Sequence, residues 1–249
     1  MQEGAFMKKL LGIFLLLVSV HLWADDLQEG LNAYDKGDYQ TAFTFFKKAA
    51  DQGYAQAQYT LGLMYNQGQG VKQDSAQALL LYTKAAEQGY SNAQAALGVM
   101  YNQGQGVKQD SAQAISWFKK AADQGNAEVQ YILGFMYEQG KGVEQDYAQA
   151  SSWYKKAADK GVVLAQLKLG VMYEQGKGIE QDYAQAISWY KKVADRGVAQ
   201  AQYNLGVMYA KGHGVQQNNT LAKEYFRKAC RGGEQNGCNY YDLLNRQGY

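Results

Sequence analysis

The sequence predicts an all-α fold, a solenoid (superhelix) of helix-turn-helix repeats with a 36-residue period. Three observations predict it. The dipeptide Leu-Gly recurs at Leu61-Gly62, Leu97-Gly98, Leu133-Gly134, Leu169-Gly170 and Leu205-Gly206, always 36 residues apart, and a fixed period of this length marks a repeat architecture. The 249 residues include no proline, the residue that breaks helices. Apolar residues recur at helical spacing in both halves of each unit, and no strand pattern is visible. One hairpin of two helices cannot enclose its own apolar stripe. Stacked hairpins can, leaving one concave and one convex face.

In chain order, the first element is an address. Met7-Lys8-Lys9 is a basic head, residues 10–20 form an apolar run, and Ala24 precedes the acidic pair Asp25-Asp26. This is the pattern of a secretory signal peptide over residues 1–24, with cleavage after Ala24. The run is too short for a membrane span, which takes about 20 apolar residues, and no cysteine follows it to carry a lipid. The mature chain is therefore expected in the periplasm or secreted, with no membrane insertion. The formal charge of the full 249 residues, +2, gives no footprint for nucleic acid, and a monomer is expected.

Residues 25–52 read as an N-terminal capping hairpin with a short turn, Tyr34-Asp35-Lys36-Gly37-Asp38. Aligning Tyr34 with Tyr65 makes the step to the capping Asp38 shorter than that from Tyr65 to Asp74. Residues 53–232 hold five repeats, each with a helix A (55–66 in the first) and a helix B (74–86). Residues 233–249 form a C-terminal cap with a polar helix over 235–246. Asp74, Asp110, Asp146, Asp182 and finally Asn218 stand where helix B begins, and their side chains suit its free amides. Ala57, Leu61, Met64 and Tyr65 form one apolar stripe of helix A, and Ala78, Tyr82, Ala85 and Ala86 one of helix B. The slot of Tyr82 is aromatic in every copy: Phe46, Tyr82, Phe118, Tyr154, Tyr190 and Phe226. A glycine inside helix A costs about 1 kcal/mol relative to alanine. Its recurrence at Gly62, Gly98, Gly134, Gly170 and Gly206 points to close helix–helix approach. A G-x-G loop follows each helix A, and a further glycine follows each helix B, so most of the 28 glycines have a periodic place.

The unit A-x-A-Q-Y-x-L-G-x-M-Y-x-x-G-x-G-V-x-x-D-x-A-x-A-x-x-W-Y-x-K-A-A-x-x-G closely resembles the Sel-one-like repeat (SLR), a relative of the tetratricopeptide repeat. Trp117, Trp153 and Trp189 fill its tryptophan slot, with Leu81 and Tyr225 replacing it elsewhere. The first hairpin looks more like a tetratricopeptide unit. The resemblance implies a right-handed α/α superhelix and an adaptor role in assembling protein complexes. For exported bacterial members it also implies envelope or host-interaction processes. Many bacterial SLR copies carry proline before helix B; here Lys72, Lys108, Glu144, Glu180 and Gln216 stand near that place, so more flexible loops are expected.

Cys230 and Cys238, the only cysteines, flank a predicted helix–turn–helix junction. An oxidising compartment favours a disulfide, and the spacing resembles the bridged hairpins of cysteine-rich SLR proteins. A free thiol pair and a metal site are the alternatives, the latter a poor one because the mature chain has a single histidine, His213. No metal or other cofactor is expected. His213 holds a loop slot filled elsewhere by Gln69, Gln105, Lys141 and Lys177. The G-x-G loops follow helices, whereas a dinucleotide fingerprint follows a strand. Lys119-Lys120, Lys155-Lys156 and Lys191-Lys192 close B helices, where cations suit the dipole, and read as solvated. The cysteine-rich relatives imply β-lactam or peptidoglycan-like ligands as an alternative function, but the sequence reads as having no S-x-x-K motif of a β-lactamase. No catalysis is expected.

In the related tetratricopeptide fold, ligands lie along the concave face built from A helices. The slots that would face it are those of residues 56, 59, 63 and 66, which vary between copies while scaffold slots repeat. They supply Gln56, Tyr59, Asn66, Asn92, Asn102, Glu128, Tyr131, Phe135, Glu138, Glu174 and Tyr203 as candidate partner-binding residues. The tyrosines are the best anchors, being rigid and amphipathic. The expected partner is a protein or peptide.

Overall fold

The computed structural model describes residues 26–249; the expected signal peptide over 1–24 lies outside the described residues. The described residues contain helices, turns and loops and no strand. None of their helices is long and apolar enough to cross a membrane. The chain forms two compact units, one ending at Gln124 and the other running from Gly125 to Tyr249.

The first unit holds α1 (26–35), α2 (Tyr39–Asp51), α3 (Ala55–Gln67), α4 (Ser75–Glu87), α5 (Ser91–Gln103) and α6 (Ser111–Asp123). The second holds α7 (Ala127–Gln139), α8 (Tyr147–Asp159), α9 (Val163–Gln175), α10 (Tyr183–Ala194), α11 (Ala199–Lys211), α12 (Asn219–Arg231) and α13 (Gln235–Arg246). Within each unit, successive helices pack on one another, which makes the fold an all-α solenoid. The B helices start where their caps dictate. The Asp74 carboxylate accepts from the amides of Ala76 and Gln77 at 2.9 and 3.0 Å, and Asp110 and Asp146 do the same in their copies. Each such bond satisfies an amide that the first helical turn leaves without a partner.

The glycine inside helix A explains the spacing of each hairpin. A Cβ on Gly62 would stand 2.7 Å from the Tyr82 ring, and one on Gly134, Gly170 or Gly206 would stand 2.6 Å from Tyr154, Tyr190 or Phe226. The aromatic slot of helix B is thus seated directly on the bare backbone of helix A. Its rings are almost fully buried, with alanines around them (Ala42, Ala49, Ala78, Ala85, Ala114, Ala121 and their equivalents) that let the helices close. Gly30 meets Phe46 in the same way at 2.8 Å, so the first hairpin uses the lock too.

That lock corrects the alignment of the first turn. The amide of Asp38 donates to the carbonyl of Ala33, as that of Asp74 donates to Tyr65. Ala33, not Tyr34, therefore stands in the slot of Tyr65. Tyr34 is displaced by one residue, and its hydroxyl donates to Gln69 Oε1 at 2.7 Å.

The longer loops are tied rather than loose. Besides the backbone bond just described, a glutamine two residues before the first helix-B residue reaches back in each copy. The Nε2 groups of Gln73, Gln109, Gln145, Gln181 and Gln217 donate to the carbonyls of Asn66, Asn102, Glu138, Glu174 and Ala210 at 2.7–2.8 Å. The side chain does what a proline would otherwise do by restricting the backbone, so the expectation of looser loops does not follow. A second recurrent glutamine joins hairpins. Buried Gln58, Gln94 and Gln166, and part-buried Gln202, donate to the carbonyls of Ala50, Ala86, Ala158 and Ala194 on the preceding B helix.

At the C-terminus Cys230 and Cys238 form a disulfide, and no free cysteine remains among the described residues. It staples α12 to α13, which also buries Leu244 and stacks Tyr240 on Phe226 at 5.1 Å.

Candidate interaction groove

In the second unit the A helices α7, α9 and α11 line an open cleft of about 450 Å³. Its wall on α9 is Leu164, Leu167, Lys168, Val171, Glu174 and Gln175. From Leu164 each position lies three or four residues beyond another of the set, so they share one face of the helix. On α11 the lining is Gln200, Tyr203, Asn204 and Val207, and α7 contributes Tyr131. The surface is apolar with a polar floor. Leu164 is 55% exposed, a large share for a leucine beside a cleft.

Two carboxylates of the A helices hold buried phenols, Glu174 in the lining of the cleft and Glu138 one repeat earlier. Glu138 accepts from the Tyr154 hydroxyl at 2.5 Å and ion-pairs with Lys168 Nζ at 2.9 Å. Glu174 accepts from the Tyr190 hydroxyl at 2.6 Å. Burial first, and then the neighbouring carboxylate, pushes both phenols far above the ordinary tyrosine value. Tyr154 and Tyr190 are therefore neutral donors throughout the physiological range. The half-buried anchors lean on aromatic rings of their own repeats. Tyr131 lies 5.7 Å from Tyr154, and Tyr203 lies 5.8 Å from Phe226 and 5.9 Å from Tyr240.

Of the sequence-predicted residues, the cleft brings together Tyr131, Glu174 and Tyr203. Glu138 is not among the lining residues and is engaged by Tyr154 and Lys168. Phe135 is 40% exposed and Glu128 is exposed on the first turn of α7, and neither lines the cleft. Gln56, Tyr59, Asn66, Asn92 and Asn102 belong to the first unit. There Gln56 and Asn92 are exposed, Asn66 is half-buried, and Tyr59 is packed between Tyr82 and Tyr90 at 5.6 and 5.3 Å. The Oδ1 of Asn102 is buried without a hydrogen-bond partner. Leu164, Leu167, Val171 and Val207 fill the predicted slots of residues 56, 59 and 63 without having been named as candidates, whereas Lys168 and Asn204 stand in the slot of Thr60, outside the predicted set.

Other predicted features resolve as structure. The ammonium groups of Lys120, Lys156 and Lys192 lie 3.8–4.0 Å from the ring centroids of Trp117, Trp153 and Trp189. These lysines are exposed but also cover tryptophan faces, a cation–π arrangement rather than a merely solvated one. His213 stacks on Tyr183 at 4.8 Å. Contrary to the expected absence, the S-x-x-K spacing does occur, at Ser116/Lys119, Ser152/Lys155 and Ser188/Lys191. In each case it arises from helix-B slots whose serine and lysine are exposed, and Lys155 is ion-paired with Asp159 at 2.6 Å.

The Sel1 repeat family model matches residues 24–54, 55–90, 91–126, 127–162, 163–198 and 199–234. The chain belongs to the Sel1 repeat family. It is 36% identical to a protective antigen of uropathogenic Escherichia coli that displays an SLR fold, over 93% of this chain and 50% of that one, with a TM-score of 0.87. It is 31% identical to a Sel1 repeat protein from Oxalobacter formigenes, over 83% of this chain and 85% of that one, with a TM-score of 0.77. A 67-residue stretch is 37% identical to the putative beta-lactamase HcpE of Helicobacter pylori, covering 25% of this chain and 19% of that protein. A 44-residue stretch is 50% identical to the DAP3-binding cell death enhancer 1 of Rattus norvegicus, covering 18% of this chain and 9% of that protein. The matches thus span less than a fifth of these curated relatives and half of the E. coli antigen.

Proposed function

We propose that this Sel1 repeat protein is an exported scaffold that holds a protein or peptide partner in the groove formed by α7, α9 and α11. The observation that carries this reading is the cleft itself, an apolar stripe on successive A helices in slots that the packing of the hairpins leaves free to differ. Rigid Tyr131 and Tyr203 edge it, the residue types that dominate binding energy at interfaces. The Cys230–Cys238 disulfide supports an oxidising compartment, in keeping with the signal-like segment over 1–24. The test is site-specific photo-crosslinking in cells from position 164 or 203, followed by mass spectrometry. A discrete partner captured at both positions, and lost from position 203 in Leu164→Glu, supports the groove. Crosslinks unaffected by that substitution would exclude it.

The similarity to HcpE favours a second reading, in which the chain binds or hydrolyses a β-lactam or a peptidoglycan-like ligand. Purified protein incubated with a chromogenic β-lactam decides this directly. Turnover abolished by Ser152→Ala would replace the scaffold reading with an enzymatic one.

A further inference from the structure

Glu138 and Glu174 occupy the same slot in consecutive repeats, 36 residues apart. Both accept a phenol hydroxyl from the tyrosine of their own helix B. They differ in what faces them from the next A helix. Glu138 receives the ammonium of Lys168 on both oxygens, at 2.9 and 3.0 Å. The slot that supplies Lys168 supplies Asn204 in the following repeat, and Asn204 is engaged by Gln200 Nε2 at 3.0 Å. Among the described residues no basic group ion-pairs with Glu174. Lys168 also borders the cleft, but Glu138 holds it. The cleft therefore contains one carboxylate without a countercharge, set beside the apolar surfaces of Leu167, Val171 and Tyr203.

We propose that the partner presents a lysine side chain to this groove, its ammonium seated on Glu174 as Lys168 is seated on Glu138. The protein contains its own template for the complex, one repeat earlier. A lysine stem lies well along apolar walls while its head reaches a charge, and an ammonium–carboxylate hydrogen bond is stronger than a neutral one. An anionic segment would meet Glu174 with no free cation to balance it.

The inference rests on the groove being the binding surface, and the test separates the two. The full chain is titrated, by fluorescence anisotropy, with three pools of capped hexapeptides rich in leucine and tyrosine. The pools differ only in one fixed central residue: lysine, norleucine or glutamate. The lysine pool should bind about tenfold tighter than the norleucine pool, and the preference should shrink as salt rises. Glu174→Gln keeps an acceptor for the Tyr190 hydroxyl, so the chain should still fold, with a small fall in melting temperature, while the lysine preference disappears. Asn204→Lys copies the Glu138–Lys168 pair into this repeat and should abolish the preference too. Equal binding of the lysine and norleucine pools, or a preference that survives both substitutions, overturns the seat on Glu174. In that outcome the groove itself still stands if Leu164→Glu removes binding. Binding by none of the pools overturns both.

Discussion

The two units are built from the same parts and finished differently. Both seat a buried aromatic ring of helix B on a helix-A glycine, and both start helix B on a carboxylate cap. They diverge at the seams between hairpins. In the first unit Gln88 Nε2 donates to Gln58 Oε1, and Gln124 Nε2 to Gln94 Oε1, both at 2.8 Å. Each buried seam amide thus has its acceptor satisfied as well as its donor. In the second unit the matching slots hold Lys160 and Arg196, whose cations donate to the carbonyls of Gly125 and Gly161 at 2.5 and 3.1 Å. The Oε1 of Gln166 is then left buried without a partner. The floors diverge as well. The slot of Glu138 and Glu174 holds Asn66 and Asn102 in the first unit. Core slots are dictated by packing, which is the same problem in every copy. Seam and floor slots have several adequate solutions, and there the units have parted.

The largest effect should come from what the units share. Gly98→Ala and Gly134→Ala each drive a methyl into a buried ring and should cost about 3 kcal/mol, measured by urea denaturation. A cost confined to one unit would break the equivalence of the two scaffolds. Next is a feature of the second unit alone. Reducing Cys230–Cys238 should remove roughly 2.5 kcal/mol, the loop-closure contribution of so short a link. The intact protein should show no thiol that labels under denaturing conditions, and labelling there would contradict the staple.

Tyr154→Phe should follow, at about 1.5 kcal/mol, because it removes a bond to a carboxylate that the floor is built around. Tyr82→Phe in the first unit, with no carboxylate in the matching slot, should cost clearly less. Equal losses would mean that the carboxylate floor adds nothing. The same contrast should appear against pH. Burial raises the values of Tyr82, Tyr154 and Tyr190 above those of the unfolded chain. Their folded forms keep a proton that the unfolded chain releases above about pH 10. Stability is therefore fully present below that pH and falls above it. The double substitution Tyr154→Phe, Tyr190→Phe should flatten the alkaline fall more than Tyr82→Phe does, as followed by thermal melts from pH 8 to 11. The smallest effect is a gain. Arg196→Gln should give Gln166 Oε1 the partner that Gln94 has and raise stability by about 1 kcal/mol. A loss instead would show that the Arg196–Gly161 contact is the better seam.

Much of the architecture is legible in the chain alone. The 36-residue period, the missing prolines, the capping aspartates and the glycine punctuation determine the helices and their pairing, because each is a local or strictly repeated constraint. Even the close helix approach follows from Gly62 and its equivalents. The shifted register of the first turn does not, since Tyr34 matches Tyr65 by residue type and only the bond from Asp38 to Ala33 separates them. Nor does the use of the variable slots. Glu138 and Glu174 look like two exposed acids at one position. Only the tertiary structure shows that both hold phenols from helix B, and that Lys168 neutralises one while Asn204 leaves the other uncompensated. The physical reason is distance along the chain. Periodicity reports what every repeat must do to pack, whereas charge pairing across 30 residues depends on which neighbouring hairpin supplies the partner.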